Sequence, residues 1–170
     1  MVKKYILQTE RLILKPADIN DSEFFLKLYN EPLFIKFIGD RNLKTIADAE
    51  NYITEKFLPQ FEKLGFGNYV IIRKSDGEKI GAVGVFVRDG FEIPDIGFSF
   101  LEIYHNKGFG FEAANLLKNY VSEKFNLKKL SAITTTDNIS SQKLIEKLGL
   151  KYLKMVEFPG DEVLLRYYEN

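Results

Sequence analysis

Residues 95–125 hold the feature that most limits how this chain can fold. An apolar, alternating stretch, DIGFSFLEI (residues 95–103), runs into Tyr104-His105-Asn106-Lys107-Gly108-Phe109-Gly110, and beyond it the period becomes helical. Ala113, Leu116, Leu117, Tyr120 and Val121 follow the i, i+3, i+4, i+7, i+8 spacing of a buried stripe, which predicts a helix over 109–125. A strand therefore turns into a helix through two glycines. Glycine admits positive φ and close approach of a ligand to the main chain. The first helical turn leaves N–H groups unpaired at the positive end of the dipole. Such a junction suits a phosphate group, and Lys107 adds a cation at its rim. The alternative is a plain connection. A P-loop is excluded because no Gly-Lys-Ser/Thr follows, and a dinucleotide fingerprint lacks both a glycine at Ala113 and an acid near residues 128–136, KKLSAITTT.

The segments on either side follow the same kind of reading. TERLILK (9–15) alternates as a strand. Asp18, Asn20 and Asp21 are cap residues for a helix burying Phe24, Phe25 and Leu28 and ending before Pro32. Residues 33–44 read as a loop with a short helix near FIKFI. Thr45 and Asp48 form a variant capping box for a helix reaching Leu64, which Pro59 should kink or end. The period then switches to alternation: NYVIIRK (68–74), an Asp76-Gly77 turn, KIGAVGVFVR (79–88), an Asp89-Gly90 turn, and the strand 95–103. After the glycine loop and its helix, residues 128–136 are β-branched and follow a crossover, so they should lie parallel to 95–103. Asn138 caps a last helix burying Leu144, Ile145 and Leu148, with Gly149 as its C′ residue. A hairpin of 150–158 and 162–168 turns at Pro159-Gly160-Asp161.

Composition narrows the function classes. Lys plus Arg and Asp plus Glu are 24 each, which gives no push toward nucleic acid or an anionic membrane. There is no cysteine and a single histidine, so thiol catalysis is excluded and a metal site is not expected. With no signal peptide and no long apolar run, a cytoplasmic location is expected. At 170 residues the chain suits one domain, 1–170.

The order β-α-α-β-β-β-α-β-α-β-β, taken with the glycine loop, resembles the GNAT superfamily of acyl-CoA-dependent N-acetyltransferases. The family's loop reads Gln/Arg-x-x-Gly-x-Gly/Ala. In His105-Asn106-Lys107-Gly108-Phe109-Gly110 both glycines match and the first position departs. TERLILK, KTIADAENYI, DIGFSFL, KGFGFEA and the terminal Asn138, Ser141, Leu144, Leu148 and Gly149 are in the order and spacing of the RimJ/RimL-like ribosomal-protein acetyltransferases. The resemblance covers nearly the whole chain. It implies an α+β, three-layer fold with a mixed, largely antiparallel seven-stranded sheet flanked by helices.

It also implies acetyl-CoA as cosubstrate, with no metal, and a primary amine as acceptor: a protein N-terminus, an amino acid, a polyamine or an antibiotic. The amine would attack the thioester directly, so proximity and carbonyl polarisation do most of the work. On that reading His105, Asn106, Lys107, Gly108, Phe109, Gly110 and Phe111 surround the pyrophosphate. Phe100, Leu101 and Ile103 offer a strand edge to pantetheine, and Asn138 and Ser141 contact CoA. Many relatives place a tyrosine seven residues after the Asn; here it is Ile145, which leaves Ser141 to stabilise the departing thiolate. Asn138 and Ser141 read equally well as helix caps. Candidate bases are Asp95, Glu102 and Glu92, with Asp95 preferred because an acid often precedes Gly-aromatic there. Phe37, Ile38, Asp40, Arg41, Phe86, Arg88 and Phe98 should line the acceptor cleft. A monomer or homodimer is expected. The competing reading is a catalytically weak CoA-binding regulatory or interaction module.

Overall fold

The computed structural model describes residues 5–158 and 162–170, so the turn expected at Pro159-Gly160-Asp161 lies outside the described residues. Two strands, β1 (Leu7–Gln8) and β2 (Leu12–Pro16), lead to four helical segments: α1 (Ser22–Tyr29), α2 (Pro32–Phe37), α3 (Ile46–Tyr52) and α4 (Leu58–Leu64). Strands β3 (Asn68–Arg73), β4 (Lys79–Phe86) and β5 (Asp95–Phe100) follow. Helix α5 (Phe109–Phe125) crosses over to β6 (Ser131–Thr134). Helix α6 (Ile139–Lys147) and the hairpin β7 (Lys151–Glu157) and β8 (Leu164–Glu169) complete the chain. The eight strands form one sheet in the order β1-β2-β3-β4-β5-β6-β8-β7, antiparallel except for β5 and β6.

The eighth strand is β1, which pairs Leu7 with Leu14 and Gln8 with Ile13. Two residues carry no readable alternation, so the sequence yields seven. The helix expected to reach Leu64, with a kink or stop at Pro59, is α3, a π turn over Ile53–Phe57, and α4, so the interruption falls just ahead of Pro59. Pro59 sits in the first turn of α4, where its missing N–H costs no helical bond, and the wide turn before it removes the clash a continuous helix would have. The capping box at Thr45 and Asp48 forms as expected, with Asp48 N–H donating to the Thr45 hydroxyl at 3.1 Å.

Two cores flank the sheet. One face packs Leu12, Leu14, Tyr69, Ile71, Val83, Val85 and Ile96 against Ala113, Leu117 and Val121 of α5 and Ile145 of α6. The other packs Val70, Ala82 and Leu101 against Phe25, Leu28, Tyr29, Ala49, Ile53 and Phe57 of the early helices. The alternation of each strand feeds both, which is why β3 and β4 are buried almost throughout.

Strand β5 ends sooner than its sequence suggests. Leu101 N–H still donates to Ile80 O at 3.0 Å, but its side chain turns into the second core, and Glu102–Tyr104 form a 3-10 turn. Leu101 and Ile103 are therefore not strand-edge residues, and the Ile103 side chain is exposed.

Candidate functional site

Strands β5 and β6 share one ladder pair, Asp95 with Ser131, where Ser131 N–H donates to Pro94 O at 2.8 Å. Past that pair the strands part. Leu101 bonds β4, so by the two-residue alternation Phe98 and Phe100 present their N–H and C=O groups to the gap left by β6. The result is a V with its apex at Asp95 and Ser131. Its arms are the C-terminal halves of β5 and β6, and the glycine loop and the start of α6 stand at its mouth.

At the mouth, Asn106 (φ 58°) and Gly108 (φ 81°) are both left-handed. Gly108 is the N-cap of α5, and the first helical bond is Glu112 N–H to Gly108 O at 3.2 Å. The N–H groups of Phe109, Gly110 and Phe111 thus lack helical partners, which makes an anion cradle. The two glycines do different work. Gly108 is needed for its φ. A Cβ on Gly110 would stand 2.9 Å from Leu144 Cδ2 and 3.7 Å from the Phe100 ring, so Gly110 is small because α6 and β5 close over it.

Arg11 holds this loop in place, a role the sequence reading missed. Its Nε donates to Glu112 Oε2 at 2.7 Å, its Nη1 to Lys107 O at 3.1 Å, and its guanidinium lies 4.4 Å from the Phe109 ring centre. The Thr9 hydroxyl also donates to Glu112. Burial pushes the Glu112 carboxyl up, but these donors outweigh it and hold it below its usual range. An open groove of about 580 Å³ runs along this side of α5, past Gly108, Phe111, Asn115 and Asn119. Both TERLILK (Glu10, Arg11, Lys15) and KGFGFEA (Lys107, Glu112) carry charges of both signs, so the sequence offered no signal that singled out the Arg11–Glu112 pair.

His105 is turned inward, with Nε2 2.9 Å from Phe100 O on the open strand edge. Asn138 caps α6 by accepting from the Ser141 main-chain N–H at 3.2 Å, so the cap does not use the Ser141 hydroxyl. Gln142 clamps the end of β6 through Thr135 O and Thr136 O. Ile145 is fully buried in the main core.

The candidate acids are separated. Asp95 stands at the apex of the V, 7% exposed and ion-paired with Arg88. Burial pushes its carboxyl above the usual carboxylate range against the opposing pull of Arg88. Glu102 lies beyond the other end of β5, about 20 Å along the chain at strand rise. Its carboxylate accepts from Leu33 N–H at the start of α2 at 3.3 Å, while Glu31 accepts from Glu102 N–H at 3.2 Å. Glu92 is exposed in the β4–β5 loop.

The expected acceptor residues divide between the two faces. The Phe86 ring lies over Gly84 and Gly97 on the face of the early helices. Phe98 pairs with Val83 and packs toward α5, so it does not join Phe86. Arg41 lies 6.0 Å from the Phe34 ring centre and Phe37 is half-buried on α2. Asp40 is exposed and accepts from Asn42 N–H in a turn at 2.7 Å. Lys36 reaches Asp137 at 4.0 Å, linking α2 to the β6–α6 connection.

A sheet that splits between two parallel strands, with an anion cradle at the mouth of the split, defines an acyl-CoA-binding acyltransferase fold. Residues 11–151 match the Acetyltransferase (GNAT) domain family, and the chain belongs to that family. It is an acetyltransferase. It is similar to the uncharacterized N-acetyltransferase YoaA of Bacillus subtilis (strain 168), 26% identical over 167 residues, which span 97% of this chain and 89% of that protein. Ribosomal-protein-S5-alanine acetyltransferase from Vibrio fischeri superposes with a TM-score of 0.80 at 17% identity, over 97% of this chain and 95% of that one. The microcin C7 self-immunity acetyltransferase MccE, in complex with acetyl-CoA and AMP, gives 0.80 at 17% identity over 95% and 93%. Among the described residues, no cluster of side chains could hold a metal and no helix is long and apolar enough to cross a membrane.

Proposed function

We propose that this acetyltransferase moves acetyl from acetyl-CoA to a primary amine, in the cytoplasm, by direct attack within a ternary complex. The observation that carries the reading is the V: one β5–β6 ladder pair, a main-chain edge open at Phe98 and at the Phe100 N–H, with Phe100 O facing His105, and the unpaired first-turn N–H groups of α5 at its mouth. Pyrophosphate would sit on the amides of residues 106–111, with Lys107 nearby. Pantetheine would extend the sheet along Phe98 and Phe100, which brings the thioester toward the apex. The N–H groups there would polarise its carbonyl. Asp95, with its raised pKa, is the base that fits best, because a carboxyl nearer neutrality accepts a proton more usefully from an ammonium. Glu102, tied to α2, fits that role less well. The Ser141 hydroxyl, not used in the cap, would stabilise the leaving thiolate; Asn138 contributes as cap and loop support. Phe37, Asp40 and Arg41 would line the acceptor entrance and Phe86 its floor, with Phe98 on the pantetheine side.

One observation favours the second reading, a catalytically weak CoA-binding module: the position at which many relatives carry a tyrosine is Ile145, buried in the core. The two part in a thiol-release assay on pooled amines.

The test of ligand class is a thermal melt. At 100 times Kd, a ligand bound only by the native state adds about 2.7 kcal/mol of apparent stability. Acetyl-CoA and CoA should raise Tm by several degrees, and ATP and NAD by much less. An equal or larger rise with NAD would refute the assignment.

A further inference from the structure

Asp95 opens β5 at the apex of the V and is 7% exposed. A carboxylate that deep is costly as an anion unless a cation is bound to it. Among the described residues, the cation on Asp95 is Arg88, from the β4–β5 connection. Its Nε donates to Asp95 Oδ1, while its Nη2 stands 3.5 Å from Oδ2, at the limit of a hydrogen bond. Oδ1 is therefore taken, and Oδ2 keeps room for a second donor.

Arg88 is itself held. Its guanidinium carbon lies 5.1 Å from the Phe86 ring centre and 5.3 Å from that of Phe158, within cation–π reach of both. The Phe86 ring lies over Gly84 and Gly97, and a side chain at either glycine would displace it. Phe158 stacks on Phe91 at 5.6 Å, and Phe91 on Tyr167 at 6.1 Å, so the rings tie the end of β7, the β4–β5 connection and β8 together. The other groups near the pair bring no positive charge to Asp95. From β8, the Tyr167 hydroxyl donates to Glu169 Oε1 at 2.8 Å and is pushed up to about 12, first by burial and then by Glu169, with Asp95 adding to it, so it stays neutral. From β6, the Ser131 hydroxyl donates to Ile93 O at 3.0 Å. From α1, the Tyr29 hydroxyl is pushed up by burial against the opposing charges of Arg41 and Arg88.

We infer that Arg88 is a positioning residue for the transfer: clamped by Phe86 and Phe158, it supplies the counter-charge that keeps Asp95 an anion at the apex and leaves Oδ2 free for the acceptor. The inference rests on Asp95 as the base of the proposed transfer and deepens that reading. An acceptor ammonium donates to Oδ2, directly or through a water. Its N–H bond breaks with the electron pair left on nitrogen, and the proton goes to Asp95. The neutral amine forms the C–N bond, and the C–S bond breaks with its pair on sulfur. A second proton passes from nitrogen to sulfur, and Asp95 returns its own to water. Without Arg88 the buried carboxyl would hold its proton to higher pH and could not accept another.

Arg88→Met, near in length and uncharged, tests this. Losing the cation removes the pull that opposes burial, so Asp95 should ionise at higher pH. Thiol release from acetyl-CoA is followed against pH with a fixed pool of L-alaninamide, ethanolamine and putrescine, and the ratio of variant to native rate cancels the titration of the amines themselves. The acid limb should move up by about one pH unit or more in Arg88→Met and stay near its native position in Arg88→Lys. Phe158→Leu, which removes one ring of the clamp, should move it the same way by less. A carbon-13 NMR titration of the Asp95 carboxyl, assigned by its loss in Asp95→Asn, should show the same shift with no acceptor present. A limb and a carboxyl titration that stay in place in Arg88→Met, whatever its plateau rate or Tm, would overturn the inference and leave Arg88 as a fold contact. Should Arg88→Met fail to fold, Phe158→Leu decides by the same criterion. Native turnover in Asp95→Asn would remove Asp95 as base and the inference with it, whereas an inactive Asp95→Asn beside an unmoved Arg88→Met titration would sink the inference alone.

Discussion

Arg11 and Glu112 stand 101 positions apart in the chain, yet their contact fixes where the glycine loop meets the first strands. Glu112 accepts from the Thr9 hydroxyl, the Arg11 main chain and the Arg11 side chain. Although burial raises its pKa, those bonds carry it below the usual glutamate value of the unfolded chain. A depressed carboxylate contributes stability above its unfolded pKa, and that contribution is lost as pH falls through the folded value. Arg11 is about half exposed, so solvent screens the pair and the contribution should be about 1 kcal/mol. Glu112→Gln should melt a few degrees below the native protein at pH 7. The gap should close below the ordinary glutamate pKa and narrow with added salt. Melts of both proteins across pH 3 to 8 measure this, and a gap that persists at the acid end would mean that Glu112 acts through packing instead.

At the scale of elements, α5 and α6 meet where Gly110 faces Leu144, and the smallness of that residue belongs to packing as well as to ligand approach. Alanine at 110 gains helix propensity of about 0.5–1 kcal/mol over glycine. It also drives a methyl against the Leu144 side chain, and overpacking of that kind costs about 1–3 kcal/mol. Gly110→Ala should therefore lose about 1 kcal/mol net. Combined with Leu144→Ala, it should lose at least about 0.5 kcal/mol less than the sum of the two single changes. Denaturant melts of the four proteins in the cycle measure the coupling; additivity would show that the contact is not what keeps residue 110 small. Substitution at Gly110 is accordingly a poor probe of CoA binding on its own, since the helix packing moves with it. Gly108 is the cleaner position, because its φ of 81° is the constraint and its surroundings are open to the flexible end of Arg11.

For the whole molecule, the sheet is two units joined by a single ladder pair, β1–β5 on one side and β6–β8–β7 on the other. The crossover helix α5 and its packing on α6 supply the rest of the joint. A cosubstrate lying in the V would bridge the units and pair with main-chain groups that the sheet leaves open. Hydrogen exchange should then slow at the Phe98 and Phe100 amides and in the first turn of α5 by tenfold or more with saturating CoA. At times too short to open the β3–β4 core, Val70 and Val83 should not change. Mass-spectrometric exchange with and without CoA makes the comparison, and no slowing at residues 98–100 would place the ligand elsewhere.

What the sequence determined by itself was local. The period switch near Asn68, the hairpin at Asp76-Gly77, the glycine loop and the helix from Phe109 to Phe125 were legible because neighbours along the chain decide them. Motif order was legible too, and with it the family; that the glycine loop takes CoA is the proposal made above. Tertiary structure decided whatever needs two distant segments. It ended β5 at Phe100, because Leu101 finds a core to enter that no window of sequence reveals. It sent Phe86 and Phe98 to opposite faces, since the pairing register and not the residue type sets the side of a sheet. It parted Asp95 from Glu102, brought Arg11 to Glu112, and set two glycines beside a buried Asn68. Each of those turns on cross-strand register and long-range packing, which a single chain read in order does not encode position by position.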